Sequence, residues 1–271
     1  MSNNNNENFD KKVEDCRQKL LKCPSERLDS RCQLLNDLSY ALYNRFQQLG
    51  GEEYLEESIT YYRQRLNLCP IGDPNHSASL NNLGCAVTTR FKHLGRIEDL
   101  EEAITCHRQA LTLFPQRHPY RSNSLNNLAS AMSTRFEQLG GLDDLEGAIT
   151  FHREALSLRL HGHPDLSSSL NNLANVLSAR FEQLGRMDDL EEAITCHRRA
   201  LALRPRGNPN RSSSLNNLAT AVYTRFEQLG KMNDLEEAIT CHREALALQP
   251  HGHPDRSYSL SNLASAMSTR F

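Results

Sequence analysis

The six residues Ser79-Leu80-Asn81-Asn82-Leu83-Gly84 return as Ser124 to Ala129, Ser169 to Ala174 and Ser214 to Ala219. A weaker copy spans Ser259 to Ala264, and a weaker one still is Leu35-Asn36-Asp37-Leu38. Successive copies lie 45 residues apart, with no insertion or deletion. A fixed period of this size belongs to a stacked array, in which one supersecondary unit buries its apolar face only against its neighbours. The 271 residues are therefore expected to form one continuous solenoid.

Each unit reads as two helices. In residues 73–118, Leu80, Leu83, Gly84, Val87, Phe91 and Leu94 recur at helical spacing and fill one arc of the wheel. Pro74 suits the first turn of that helix, and Gly95 suits its end. Glu98, Asp99, Glu101 and Glu102 open a second helix, where acids complement the N-terminal partial charge. Its apolar face is Leu100, Ala103, Ile104, Ala110 and Leu111, with His107 at the edge, and Pro115 stops it. The pair recurs near 26–48 with 52–68, 119–138 with 142–159, 164–183 with 187–203, and 209–228 with 232–248. A final first helix starts near Pro254 and the chain stops inside that repeat. Residues 9–25 echo a second helix with the linker slipped by one residue, a degenerate half-repeat. Residues 1–8 are polar and are expected to form a disordered tail.

Net charge is -2 and the pI about 6.6. Such a balance offers no general attraction for nucleic acid or an anionic membrane surface. No apolar run approaches a membrane span and the start lacks a secretory signal, so a cytoplasmic location is expected. Eight cysteines are present. Cys106, Cys196 and Cys241 share one slot with Tyr61 and Phe151, which asks for apolar bulk and argues against a disulfide framework. No C-x-x-C pair supplies zinc-site spacing.

The small residues Gly84, Ala103 and Ala110 followed by Pro115, and their counterparts Ala174, Ala193, Ala200 and Pro205, resemble the tetratricopeptide repeat. The unit is longer than the 34-residue form by close to two helical turns and a longer linker. The L-N-N-L-A text is similar to the long repeats of kinesin light chains. The R-F-E-Q-L-G and D-L-E-E-A-I-T text looks like fungal arrays that accompany CHAT or STAND-type NTPase domains. The resemblance implies an all-α, right-handed superhelical solenoid of antiparallel helix pairs whose first helices line a concave groove. It places Ala78, Asn81, Asn82 and Cys85 among the groove-facing slots. His107, His152, His197 and His242 stand where that family usually has an aromatic.

Cys106-His107, Cys196-His197 and Cys241-His242 do not read as thiol-protease dyads, because neighbours on a helix point about 100° apart. His161-Gly162-His163 and His251-Gly252-His253 lie in linkers and suit helix caps better than a metal. The row Arg45, Arg90, Arg135, Arg180, Arg225 and Arg270 suits ion pairs with the acidic starts of second helices; an acidic ligand is the alternative. Asparagine carries both a donor and an acceptor, so a row of amides can match an extended backbone. The candidate groove residues are Asn36, Asn81, Asn82, Asn126, Asn127, Asn171, Asn172, Asn216, Asn217 and Asn262. The expected function is non-catalytic binding of a protein or extended peptide in a neutral groove, without cofactor or metal. A regulatory repeat region of a larger enzyme or NTPase is the alternative. Self-association through the uncapped C-terminal end is a third option.

Overall fold

In a computed structural model the described residues are 2–69, 72–73 and 75–270. They form twelve helices and no strand. These are α1 (Ser2–Lys22), α2 (Leu28–Leu49), α3 (Glu52–Leu68), α4 (His76–Leu94), α5 (Ile97–Leu113) and α6 (Arg121–Leu139). They continue as α7 (Leu142–Ser157), α8 (Leu166–Leu184), α9 (Met187–Ala202), α10 (Arg211–Leu229), α11 (Met232–Ala247) and α12 (Arg256–Ser268). The expected pairs fall within about two residues of these bounds, the usual slack at frayed ends. Pro74 lies outside the described residues. Pro164 and Pro254 sit one residue before the N-caps Asp165 and Asp255, so these prolines precede their helices instead of occupying the first turn. α1 runs from Ser2 to Lys22, so helix takes the place of the disordered tail expected over residues 2–8 and continues into the half-repeat expected over 9–25.

The chain divides into two compact units, Met1–Asp144 and Leu145–Phe271. In the first, α2 packs on α3 and α4 on α5 as antiparallel hairpins. α1 lies on α2, and α6 covers α5 and touches α4. Val13, Cys16 and Leu20 of α1 share a core with Leu35, Leu38, Ala41 and Leu42 of α2. In the second unit α8 pairs with α9, α10 with α11, and α12 closes on α11 and α10. Its cores join Phe181, Leu190 and Ile194 to Leu218, Ala221 and Val222, then Leu235 and Ile239 to Ala266. Gly84, Ala129, Ala174 and Ala219 are all buried, as expected of slots where helices approach closely.

The helix ends explain the text around them. Gly95, Gly140, Gly185 and Gly230 adopt left-handed φ of 65–74°. Each donates its N–H to the carbonyl of the phenylalanine four residues earlier. A Cβ strains that conformation, so the R-F-x-x-L-G run keeps its glycine. At the other end no side chain caps the N-termini of α4, α6, α8, α10 or α12. The arginines that open α6, α10 and α12 serve the opposite kind of end, the C-terminus of the preceding helix. Arg121 donates to the Leu111 and Phe114 carbonyls, Arg211 to Leu201 and Arg204, and Arg256 to Leu246 and Gln249. The first residue of one hairpin thus satisfies the last carbonyls of the previous one.

One expectation is overturned. Cys32 and Cys69 are joined by a disulfide, with Cα atoms 6.2 Å apart. Cys32 lies near the start of α2 and Cys69 caps the end of α3, positions that an antiparallel hairpin brings face to face. The other six cysteines are free. An Asp73 carboxylate oxygen lies within 4.8 Å of both sulfurs, and Arg65 Nη2 donates to Asp73 at 2.9 Å. Bonded to each other, the sulfurs are not thiolate ligands.

Candidate binding groove

The row of arginines is paired within the protein. Arg90 makes a forked contact with Asp99 (2.6 and 3.1 Å) and reaches Glu56 at 2.8 Å. Arg180 does the same with Asp189 and Glu146, and Arg225 with Asp234 and Glu191. Arg135 holds Asp144, and Arg270 holds Glu236. Arg45 differs: it meets Asp10 and lies 3.8 Å over the Tyr54 ring. The carboxylates hold the Arg90, Arg135, Arg180 and Arg225 guanidiniums above their ordinary pKa, so their charge is permanent and spent internally. A second row ties successive second helices together: Arg63 to Glu102, Arg153 to Glu192 and Arg198 to Glu237, with Arg17 to Glu57 at the start. All three acids of the D-L-E-E text therefore have a named partner, which helix-terminal charge alone did not require.

The asparagine pairs are largely interlocked. Asn81 Oδ1 accepts from His107 Nδ1 (3.1 Å), Ser124 Oγ (3.0 Å) and Asn127 Nδ2 (3.4 Å). Asn127 Nδ2 also lies 3.3 Å from Cys85 Sγ. In the second unit Asn171 Oδ1 accepts from His197 Nδ1 (3.1 Å) and Asn217 Nδ2 (3.3 Å). Asn216 Oδ1 accepts from His242, and its amide donates to Ser259 Oγ at 2.6 Å. Asn36 Oδ1 accepts from Ser79 Oγ at 3.4 Å. The serine of S-L-N-N-L thus meets the first asparagine of the preceding repeat. The second asparagine reaches back to that same residue. Asn216 is 3% exposed and bonded at both ends of its amide, so in α10 it is a packing residue. Asn36, Asn81, Asn82, Asn126, Asn127, Asn171, Asn172, Asn217 and Asn262 are half-buried.

The histidines are the other half of this lock. A carboxamide carbonyl at Nδ1 selects the neutral tautomer with its proton on Nδ1. Burial lowers His107, His152, His197 and His242 to about 4, which keeps them neutral at ordinary pH. Burial also raises the adjoining thiols, Cys106 to about 12 and Cys241 to about 11. A protonated thiol beside an imidazole committed to an asparagine is not an activated nucleophile. The linker histidines hold the turns ahead of α6, α8 and α12: His118, His163 and His253 accept at Nδ1 from the backbone N–H two residues on, that of the N-cap residue itself.

Two cavities open on the first-helix side. In the first unit about 450 Å³ is lined by Tyr40, Asn75, Ala78, Asn81, Asn82, Phe114, Tyr120 and Asn123. In the second unit about 210 Å³ lies among Asn175, Ser178, His197, Asn217, Thr220 and Tyr258. Tyr40 and Tyr120 are 49% and 60% exposed. Tyr120 shows no regular spacing in the sequence; its part emerges only where the start of α6 meets α4.

A stack of antiparallel hairpins whose first helices contact first helices is the architecture of tetratricopeptide solenoids. Residues 77–120, 166–205 and 211–255 match the family model described as Tetratricopeptide repeat. The structure is similar to that of BtubC (BKLC) from P. vanneervenii, with a TM-score of 0.62 and 21% identity over 90% of this chain and 89% of that one. It is also similar to a Podosopora anserina putative kinesin light chain with nearly identical TPR-like repeats. There the TM-score is 0.55 and the identity 17%, over 79% of this chain and 96% of that one. These likenesses establish an all-α solenoid fold of the kind seen in kinesin-light-chain-like arrays. No curated protein matches the chain in sequence. No described helix is long and apolar enough to cross a membrane.

Proposed function

We propose that this chain is a non-catalytic scaffold that holds an extended protein or peptide segment along its first helices. The observation that carries the reading is the cavity of the first unit. Among the described residues its lining presents amides and tyrosines with one alanine and one phenylalanine, and no carboxylate, lysine or arginine. Interlocking leaves defined atoms for a ligand. Asn81 has its carbonyl occupied and keeps an amide N–H pair. Asn127 and Asn217 have donated their N–H groups and keep a carbonyl. Within the first unit the Asn81 donor and the Asn127 acceptor match the alternation of an extended backbone. A ligand carboxylate would find no cationic partner in the lining, and the arginines of the Arg90 row are already paired within the protein. Weak salt dependence follows.

The test uses Asn82→Ala with Asn123→Ala, two cavity residues, against a pool of uncharged extended peptides read by titration calorimetry. Binding should weaken by about tenfold, as for a pair of central polar contacts, while far-UV circular dichroism stays unchanged. Unaltered affinity, or affinity that collapses as salt rises, refutes the neutral-groove reading.

A further inference from the structure

The tyrosines of the first unit narrow the class of peptide. Tyr40 projects from α2 and Tyr120 stands at the N-cap of α6, with Asn81 and Asn82 of α4 between them in the same cavity. Tyr120 is held in place from behind. His118 stacks on Phe114 with ring centroids 4.4 Å apart, and Tyr120 tilts against His118 at 5.6 Å. Two half-exposed phenol faces are thus presented to solvent at the rim, and that of Tyr120 is braced at low entropic cost to a ligand.

The amide between them is biased in what it offers. Three donors already converge on Asn81 Oδ1, so the side chain presents N–H groups outward. The segment that best uses donor amides beside flat aromatic faces is one rich in carbonyls and poor in N–H. A proline-rich segment in the polyproline II conformation has that chemistry: its carbonyls point outward, it carries few backbone donors, and its rings lie flat on aromatic side chains.

We propose that this cavity is a proline-selective subsite, taking a polyproline II segment with its rings on Tyr40 and Tyr120 and a carbonyl on the Asn81 amide. The inference rests on the peptide-groove reading and specifies its ligand. The test compares an N-acetylated, amidated oligoproline of about ten residues, a little over three turns, with a proline-free uncharged peptide pool of the same length. Both are titrated calorimetrically into the full chain. The oligoproline should bind more tightly than the pool. Tyr40→Ala and Tyr120→Ala should each weaken it by about tenfold or more. Tyr120→Phe, which keeps the ring face, should stay within about twofold. Both tyrosines are exposed at the rim, and unchanged helicity establishes that the variants fold. If the pool binds and the oligoproline does not, or if the tyrosine variants bind oligoproline like the parent, the proline subsite is wrong and the peptide groove stands. Neither probe binding overturns both readings. Binding of a neutral oligosaccharide at the same tyrosines in place of either peptide also overturns both.

Discussion

Acid should unlock the array through its buried histidines, and His197 is the place to measure it. The side chain is 2% exposed and its Nδ1–H is committed to Asn171. Burial lowers its pKa from 6.5 to about 4. The folded value lies below the unfolded one, so the stabilising contribution is complete above pH 6.5 and is lost as pH falls toward 4. At pH 5 an unfolded histidine is almost fully protonated, whereas the folded ring is still mostly neutral. Integrating the linkage relation between pH 7 and pH 5 gives a loss of about 2 kcal/mol for this one residue. The complete shift corresponds to about 3 kcal/mol below pH 4. His107, His152 and His242 carry the same shift, so the steepness is shared among four sites. The assay is urea unfolding by circular dichroism at pH 5, 6, 7 and 8 for the parent and His197→Gln, an uncharged donor that does not titrate. The variant should start lower at pH 7 and lose about 2 kcal/mol less on going to pH 5. Parallel stability curves for the two proteins would refute the buried neutral imidazole as a source of the acid response.

Two further outcomes concern packing and covalent closure. Ala174→Leu should overpack the helix contact and cost about 1–3 kcal/mol, and Leu173→Ala should open a cavity at about 2–5 kcal/mol, both read from denaturant midpoints; midpoints equal to the parent's would misplace the buried face. Cys32→Ser opens a loop of 37-residue separation and should cost about 3–4 kcal/mol under oxidising conditions, with the parent falling to the variant's stability on adding reductant. In the unreduced, denatured parent six thiols should titrate; eight would refute the bridge.

The sequence reading captured what depends on position within a unit. Leu80, Leu83 and Phe91 set the buried face because helical spacing alone decides it. The Arg90 row could be matched to acids because both recur in every copy. Relations between different slots were harder. Cys32 and Cys69 occupy separate columns of the repeat, and only the antiparallel turn of the hairpin brings a helix start to a helix end. The shared column of Cys106, Cys196 and Cys241 carries no information about that pair. The amides are a further case. Asparagine spacing located Asn81 and Asn82 on the right helix, but which end of each amide stays available depends on His107, Ser124 and Asn127, drawn from two neighbouring helices. The constant distance from Arg63 to Glu102 and from Arg198 to Glu237 was legible in principle, as a fixed offset between opposite charges.

That fixed offset bears on how such a chain can change in length. The polar clips join positions 9, 34 or 39 residues apart, and each class recurs along the chain. Duplicating or excising one whole 45-residue period leaves each arginine facing an acid of the right kind, merely one contributed by a different copy. Unequal crossing-over between near-identical stretches of coding sequence would therefore yield foldable products of many lengths. An insertion of a single residue would not have this freedom unless it fell in a linker able to absorb it. The join after α1 is such a case: Arg17 and Glu57 are 40 residues apart and still meet. Repeat number is thus a variable that recombination can tune freely, while the reading frame of the clips is held fixed.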